Sequence, residues 1–209
     1  MAAAKILGGL LLAIACLVAS AQSVSPKDYQ LLEPPRPVAT GARIEVREFF
    51  YYGCPVCYET QPHLARWLAK AGPRVALVRV PAAFTESSES FARTFYTLVA
   101  LKQVERLHWP LYENHHFDGK QLNVEKNVLA WVAENGVDRD RFSEIWHSAA
   151  VTSQVAAAKK ALDEYGVKGV PSFVVDGKYL TSAKIAGSVP HMIETVDYLM
   201  QRAAAERKP

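Results

Sequence analysis

Apolar residues recur along this chain with two different periods, and the changes of period divide it. The run Ile44-Glu45-Val46-Arg47-Glu48-Phe49-Phe50-Tyr51-Tyr52 is β-branched and aromatic, as an extended strand prefers, whereas Leu64, Trp67, Leu68 and Ala71 recur at helical spacing. The pattern predicts a strand over Arg43–Tyr52, a helix over Val56–Ala71 and, after the break at Gly72-Pro73, a strand over Arg74–Val80. Such a unit calls for parallel strands joined by a right-handed crossover. From Glu86 to about Tyr165 the pattern is helical throughout. Phe91, Phe95, Leu98 and Val99 give the first apolar face, and further helices are expected near Gln103–Tyr112, Val124–Glu134, Asp138–His147 and Thr152–Tyr165. Strand patterning returns at Ser172–Val175 and Lys178–Leu180 around an Asp176-Gly177 turn, and a closing helix runs from about Val189 to Ala204. Strands at both ends of a helical block imply an α/β fold with one sheet assembled from the two ends. The expected division is 22–83 for the first part of the sheet domain, 84–150 for a helical insertion and 151–209 for the second part.

The first residues belong to neither part. Lys5 is followed by an apolar run from Ile6 to Ala19 and then by Ala19-Ser20-Ala21, which reads as a secretory signal peptide over 1–21 with the mature chain starting at Gln22. Ala13-Ile14-Ala15-Cys16 loosely resembles a lipoprotein box, a poorer fit than the Ala-Ser-Ala site downstream. Export means an oxidising compartment. Apolar residues make up 50% of the chain, enough for a real core, and the formal charge of +3 is small and scattered, which gives nucleic-acid binding no support. The Pro-rich stretch Glu33-Pro34-Pro35-Arg36-Pro37 reads as an extended lead-in.

With the signal peptide removed, two cysteines remain, in Gly53-Cys54-Pro55-Val56-Cys57 at the strand-to-helix junction. Pro55 suits the first helical position, where the missing N–H forfeits no bond. Cys54 then sits at the helix cap among unpaired N–H groups that favour a thiolate and is the candidate nucleophile. Cys57, one turn on, is placed to resolve a mixed disulfide. A structural disulfide enclosing two residues would constrain almost nothing, inert buried thiols would not need Gly and Pro around them, and zinc would need about four ligands. His63, His108, His115, His116 and His191 have no ligand spacing, and no metal is expected; His115 and His116 read as a solvated helix end or loop. Alternation puts Glu48 on the face of Ile44, Val46 and Phe50, a carboxylate at an apolar position. It reads either as a proton relay for Cys57 or as part of an ion pair at the end of the sheet, as does Arg79, which shares a face with Val75 and Leu77.

The chain resembles the DsbA family of secreted thiol:disulfide oxidoreductases. The resemblance rests on Glu48-Phe49-Phe50-Tyr51-Tyr52-Gly53-Cys54-Pro55-Val56-Cys57, Gly169-Val170-Pro171, Val175-Asp176-Gly177-Lys178-Tyr179 and Asp28-Tyr29-Gln30-Leu31-Leu32. It implies a thioredoxin-like fold with an inserted helical domain, and no cofactor beyond a redox-active Cys54–Cys57 disulfide. It also implies a cis Pro171 beside that pair, where residue physics alone leaves trans favoured. Val170 would offer backbone groups to a substrate strand, with Pro55 and Val56 bordering it. The implied partners are unfolded exported proteins in the periplasm and a quinone-linked membrane re-oxidase of the DsbB type. A monomer is expected, because the 21 residues from Gln22 to Ala42 leave no room for the dimerisation domain of periplasmic isomerases. Family members commonly carry His before the second cysteine, and Val56 offers the Cys54 thiolate no such donor. The competing functions are a periplasmic reductase or isomerase and a chaperone-like peptide binder.

Overall fold

The computed structural model describes residues 23–207. The signal peptide, Cys16 and the Gln22 start lie outside the described residues. Five strands form one mixed sheet: β1 (Gln30–Leu31), β2 (Ile44–Phe50), β3 (Val75–Pro81), β4 (Ser172–Val175) and β5 (Tyr179–Ser182), in the spatial order β1-β5-β4-β2-β3. β2 runs parallel to β3 and antiparallel to β4, so strands far apart in sequence flank the strand that leads to the cysteines.

Helix α1 (Pro55–Ala71) follows β2 directly, and α8 (Val189–Glu206) closes the chain. Both pack on the same sheet face, where Leu64, Trp67, Met192, Val196 and Leu199 meet Ile44, Val46, Phe173 and Val175 in one buried cluster. The opposite face carries Phe49, Val80 and Val174 against Leu162 and Tyr165. Between β3 and β4 run α2 (Glu86–Ala100), α3 (Val104–His116), α4 (Glu125–Glu134), α5 (Arg139–Trp146) and α6 (Ala149–Glu164). Their core of Phe91, Phe95, Leu98, Leu111 and Trp131 extends to Phe50, Tyr52 and Cys57 at the end of β2.

The helices start and stop for local reasons. Thr85 and Ser88 form a reciprocal capping box at α2, and the Ser148 hydroxyl accepts the Val151 N–H, which begins α6 three residues before the expected Thr152. α3 continues past Tyr112 to His116, so His115 and His116 are half-buried helix residues rather than a solvated end. β1 and the four-residue α7 (Ala183–Ala186) had no signature in the sequence, because neither is long enough to display a period.

The β4–β5 hairpin turns through Asp176 and Gly177 at φ of 53° and 67°, the left-handed geometry that an Asp-Gly turn supplies. The lead-in is fastened to it: the Leu32 N–H donates to the Lys178 carbonyl and the Arg36 N–H to the Gly177 carbonyl, both at 2.8 Å. A methyl group on Gly177 would run into the Arg36 carbonyl. Gly177→Ala should therefore lower stability by about 1–2 kcal/mol from backbone conformation alone, and by more once the lead-in is displaced. An unchanged denaturation midpoint would show that the lead-in is not held there.

Candidate active site

Cys54 occupies the N-cap of α1 with extended backbone (φ −93°, ψ 117°), and Pro55 takes the first helical position. The Cys54 Sγ accepts the Cys57 N–H at 3.3 Å and lies 3.7 Å from the Val170 carbonyl. Both cysteines are free thiols in this structure. Cys54 is half-buried, and its pKa falls from about 9 to about 6: the hydrogen bond from the Cys57 thiol lowers it most, burial opposes, and the Cys57 and Val56 amides lower it further. Cys57 is fully buried and moves the other way, raised well above its ordinary value by burial first and then by Cys54 and Glu48. Two thiols three residues apart thus have opposite characters, one a thiolate open to a partner and one a protonated thiol under the helix.

Beside the pair, the Val170–Pro171 peptide bond is cis, as the resemblance implied. Pro171 is buried and Val170 half-buried, while Pro55 and Val56 are exposed. A groove of about 560 Å³ runs away from this point, lined by Val56, Gly169, Val170, Pro171, Leu180 and Ile185. The structure thus brings Cys54, Cys57, Pro55, Val56, Val170 and Pro171 to one corner of the molecule.

Glu48 is reached from a different side. It is fully buried on β2, directly opposite Arg79 on β3 in the parallel register, and Arg79 Nε donates to its Oε2 at 3.1 Å. Gln61 Nε2 donates to the other oxygen at 2.8 Å and lies 3.4 Å from the Cys57 carbonyl. Burial raises the Glu48 pKa, and the Arg79 charge and these hydrogen bonds only partly oppose it. Arg79 is therefore the hydrogen-bonding partner of Glu48, and Gln61 is what bridges Glu48 to the cysteine turn. Among the described residues, no group of three or more His, Cys, Asp or Glu is arranged to hold a metal ion.

A family model for the DSBA-like thioredoxin domain matches residues 63–194. The thiol:disulfide interchange protein DsbA of Azotobacter vinelandii is 35% identical over 207 residues, covering 95% of this chain and 97% of its own, and that of Burkholderia cepacia is 32% identical over 204 residues, covering 95% and 96%. The chain belongs to the DsbA-like thioredoxin family. The crystal structure of Pseudomonas aeruginosa DsbA superposes with a TM-score of 0.79 at 35% identity, covering 87% of this chain and 95% of that one. The family model begins beyond the cysteine pair, but the pairwise relatives extend across most of the chain, and the thioredoxin-like fold with its helical insertion is common to them. The activity is thiol:disulfide oxidoreduction.

Three polar residues at the site escaped the sequence reading. Gln61 stood in plain view four residues after Cys57, a polar side chain on a buried helix face. His108 and His116 had no local signal. The His116 Nε2 bonds the Tyr52 carbonyl at 2.7 Å, tying the end of α3 to the turn before Cys54, and the His108 Nδ1 bonds the Tyr52 hydroxyl at 2.6 Å.

Proposed function

We propose that the protein oxidises pairs of thiols in unfolded exported proteins of the periplasm, acting as a monomer through the Cys54–Cys57 disulfide. A substrate thiolate attacks Cys54 Sγ, the Cys54–Cys57 bond breaks, and Cys57 leaves with the electron pair and takes up a proton. The second substrate thiolate then attacks the substrate sulfur of the mixed disulfide, and Cys54 leaves as a thiolate. The substrate loses two electrons and gains a disulfide, and the pair keeps them as one thiolate and one thiol. A quinone-linked membrane re-oxidase of the DsbB type then takes the two electrons and restores the Cys54–Cys57 bond.

The observation that carries this reading is the contrast between Cys54 near pKa 6 and a buried Cys57 raised above its ordinary value. Stabilising the reduced pair as a Cys54 thiolate makes the disulfide a stronger oxidant. Glu48 is the acid that serves Cys57, because burial holds a proton on it more tightly than on an ordinary carboxyl group and Gln61 links it to the Cys57 turn. The groove beside Pro171 receives the substrate backbone as an added strand against Val170.

Equilibration against glutathione decides the direction of electron flow. The potential should be well above the roughly −270 mV of a cytosolic reductase of this fold. A value at or below that level would make the protein a reductase and end the proposal.

A further inference from the structure

Behind α1 lies a chain of hydrogen bonds that thiol exchange at Cys54 does not use. It runs from the Tyr52 hydroxyl to His108 Nδ1 at 2.6 Å, from His108 Nε2 to Gln61 Oε1 at 3.3 Å, from Gln61 Nε2 to Glu48 Oε1 at 2.8 Å, and ends where Arg79 Nε meets Glu48 Oε2 at 3.1 Å. Tyr52, His108, Gln61 and Glu48 are all buried.

Only one arrangement of protons satisfies this chain when Glu48 is ionised. A carboxylate only accepts, so the Gln61 NH2 group must face Glu48 and the Gln61 carbonyl oxygen must face His108. That oxygen needs a donor, so His108 carries its proton on Nε2. Nδ1 is then an acceptor, and the Tyr52 hydroxyl donates to it. Each side chain fixes the next, and the direction of donation is the same at all three links. Burial and the nearby Arg79 charge both hold His108 in the neutral form this order requires. Tyr52 remains a phenol, since burial raises its pKa far above the working range.

The same cluster has an opening. A cavity of about 340 Å³ is lined by Gln61, Pro62, Ala65, Arg79, His108 and Trp109, so it touches two residues of the chain as well as the cation. Glu105 borders it too, and the remaining titratable groups near Glu48 are Cys57 on α1 and Tyr112 on α3.

We propose that Gln61 and His108 are positioning residues for Glu48, with His108 orienting the Gln61 amide toward the carboxylate and the adjoining cavity carrying solvent protons to it. Glu48 then gives its proton to the departing Cys57 sulfur and is reprotonated from the cavity side, so the protein gains over that exchange the one proton that Cys57 keeps. The inference rests on Glu48 serving Cys57 as its acid.

Nitrogen-15 chemical shifts of the histidine rings in the intact reduced protein test the order of donors directly. His108 should be neutral, with its proton on Nε2 at every pH where Glu48 is ionised; a doubly protonated ring, or a proton on Nδ1 under those conditions, would overturn the proposal. Infrared titration of the Glu48 carboxyl, assigned by difference from Glu48→Gln, tests its consequence. His108→Leu frees the Gln61 amide to turn its oxygen toward Glu48, and the carboxyl should then stay protonated to a pH about one unit higher, the order expected for losing one hydrogen bond to a charged group. His108→Gln, which keeps an N–H donor near the Nε2 position, should restore the original titration. An identical Glu48 titration in native protein and His108→Leu would mean that His108 merely fills space. The two ideas fail separately: if Glu48→Gln leaves the pH profile of exchange at Cys57 unchanged, it is the acid role that falls, whatever the titration shows.

Discussion

Replacing Cys54 with Ala should abolish disulfide transfer altogether, while Cys57→Ala should leave the protein able to capture a disulfide-bearing substrate and unable to release it. The two losses differ because the two sulfurs differ. With a pKa of about 6, Cys54 holds roughly ten thiolates for every thiol at pH 7. Cys57, buried and raised, holds almost none. Exchange with a partner therefore belongs to Cys54, and removing it leaves, among the described residues, only the buried Cys57 thiol. Cys57→Ala removes the internal thiol that resolves the mixed disulfide formed when the Cys54 thiolate opens a substrate disulfide and expels a substrate thiolate. With a disulfide-bearing substrate, covalent adducts should therefore accumulate and be seen as high-mass bands that a reductant collapses. Alkylation of the reduced native protein, mapped by mass, should modify Cys54 with a pH midpoint near 6 and leave Cys57 unmodified until the protein unfolds. Preferential labelling of Cys57, or adducts that form equally in Cys54→Ala, would invert the assignment.

What could be read from the sequence follows from how far apart the interacting residues lie. The strand-to-helix junction is a local event: Pro55 at the first helical position, Cys54 at the cap and the Asp176-Gly177 turn are all set within a few residues, and each stands where its chemistry placed it. Glu48 announced itself by breaking an apolar alternation, and its partner Arg79 by sharing the corresponding phase on β3. Gln61 breaks the α1 pattern in the same way. The bonds from His108 and His116 to Tyr52 are another matter. They join positions 56 and 64 residues apart, across the packing of α3 against the end of β2, and no period within either element encodes that meeting. The adjacent histidines 115 and 116 misled for the same reason: their polarity suggested solvent, whereas α3 lays them against Phe91 and Tyr58. The cis state of Pro171 was legible only through family resemblance, since one X–Pro bond in isolation favours trans.

Glu48→Gln should make the protein more stable at neutral pH, an outcome opposite to the usual loss of an ion pair. The sign comes from the direction of the pKa shift. Burial raises the folded-state pKa of Glu48 above its unfolded value near 4.5, despite Arg79 and Gln61. Below the unfolded value the carboxyl is protonated in both states and costs nothing. As pH rises, the unfolded chain releases that proton first, so stability falls until the pH passes the folded-state pKa and stays level beyond it. Gln keeps the shape and still accepts from Arg79 while removing the charge, and Arg79 is partly exposed, so water can help solvate the guanidinium. The gain should grow by about 1.4 kcal/mol for each pH unit between the two pKa values, and it should vanish near pH 4, where both proteins carry a neutral group. Denaturation midpoints of the two proteins at pH 4 and pH 7.5 measure it, with the disulfide reduced in both. If Glu48→Gln is instead less stable at pH 7.5 and matches the native protein at pH 4, the Arg79 pair outweighs burial and the carboxylate is a net support of the fold. A gain in stability would identify Glu48 as a residue whose ionisation costs the fold stability at working pH, which is the expected mark of an acid retained for its proton beside Cys57 rather than for packing.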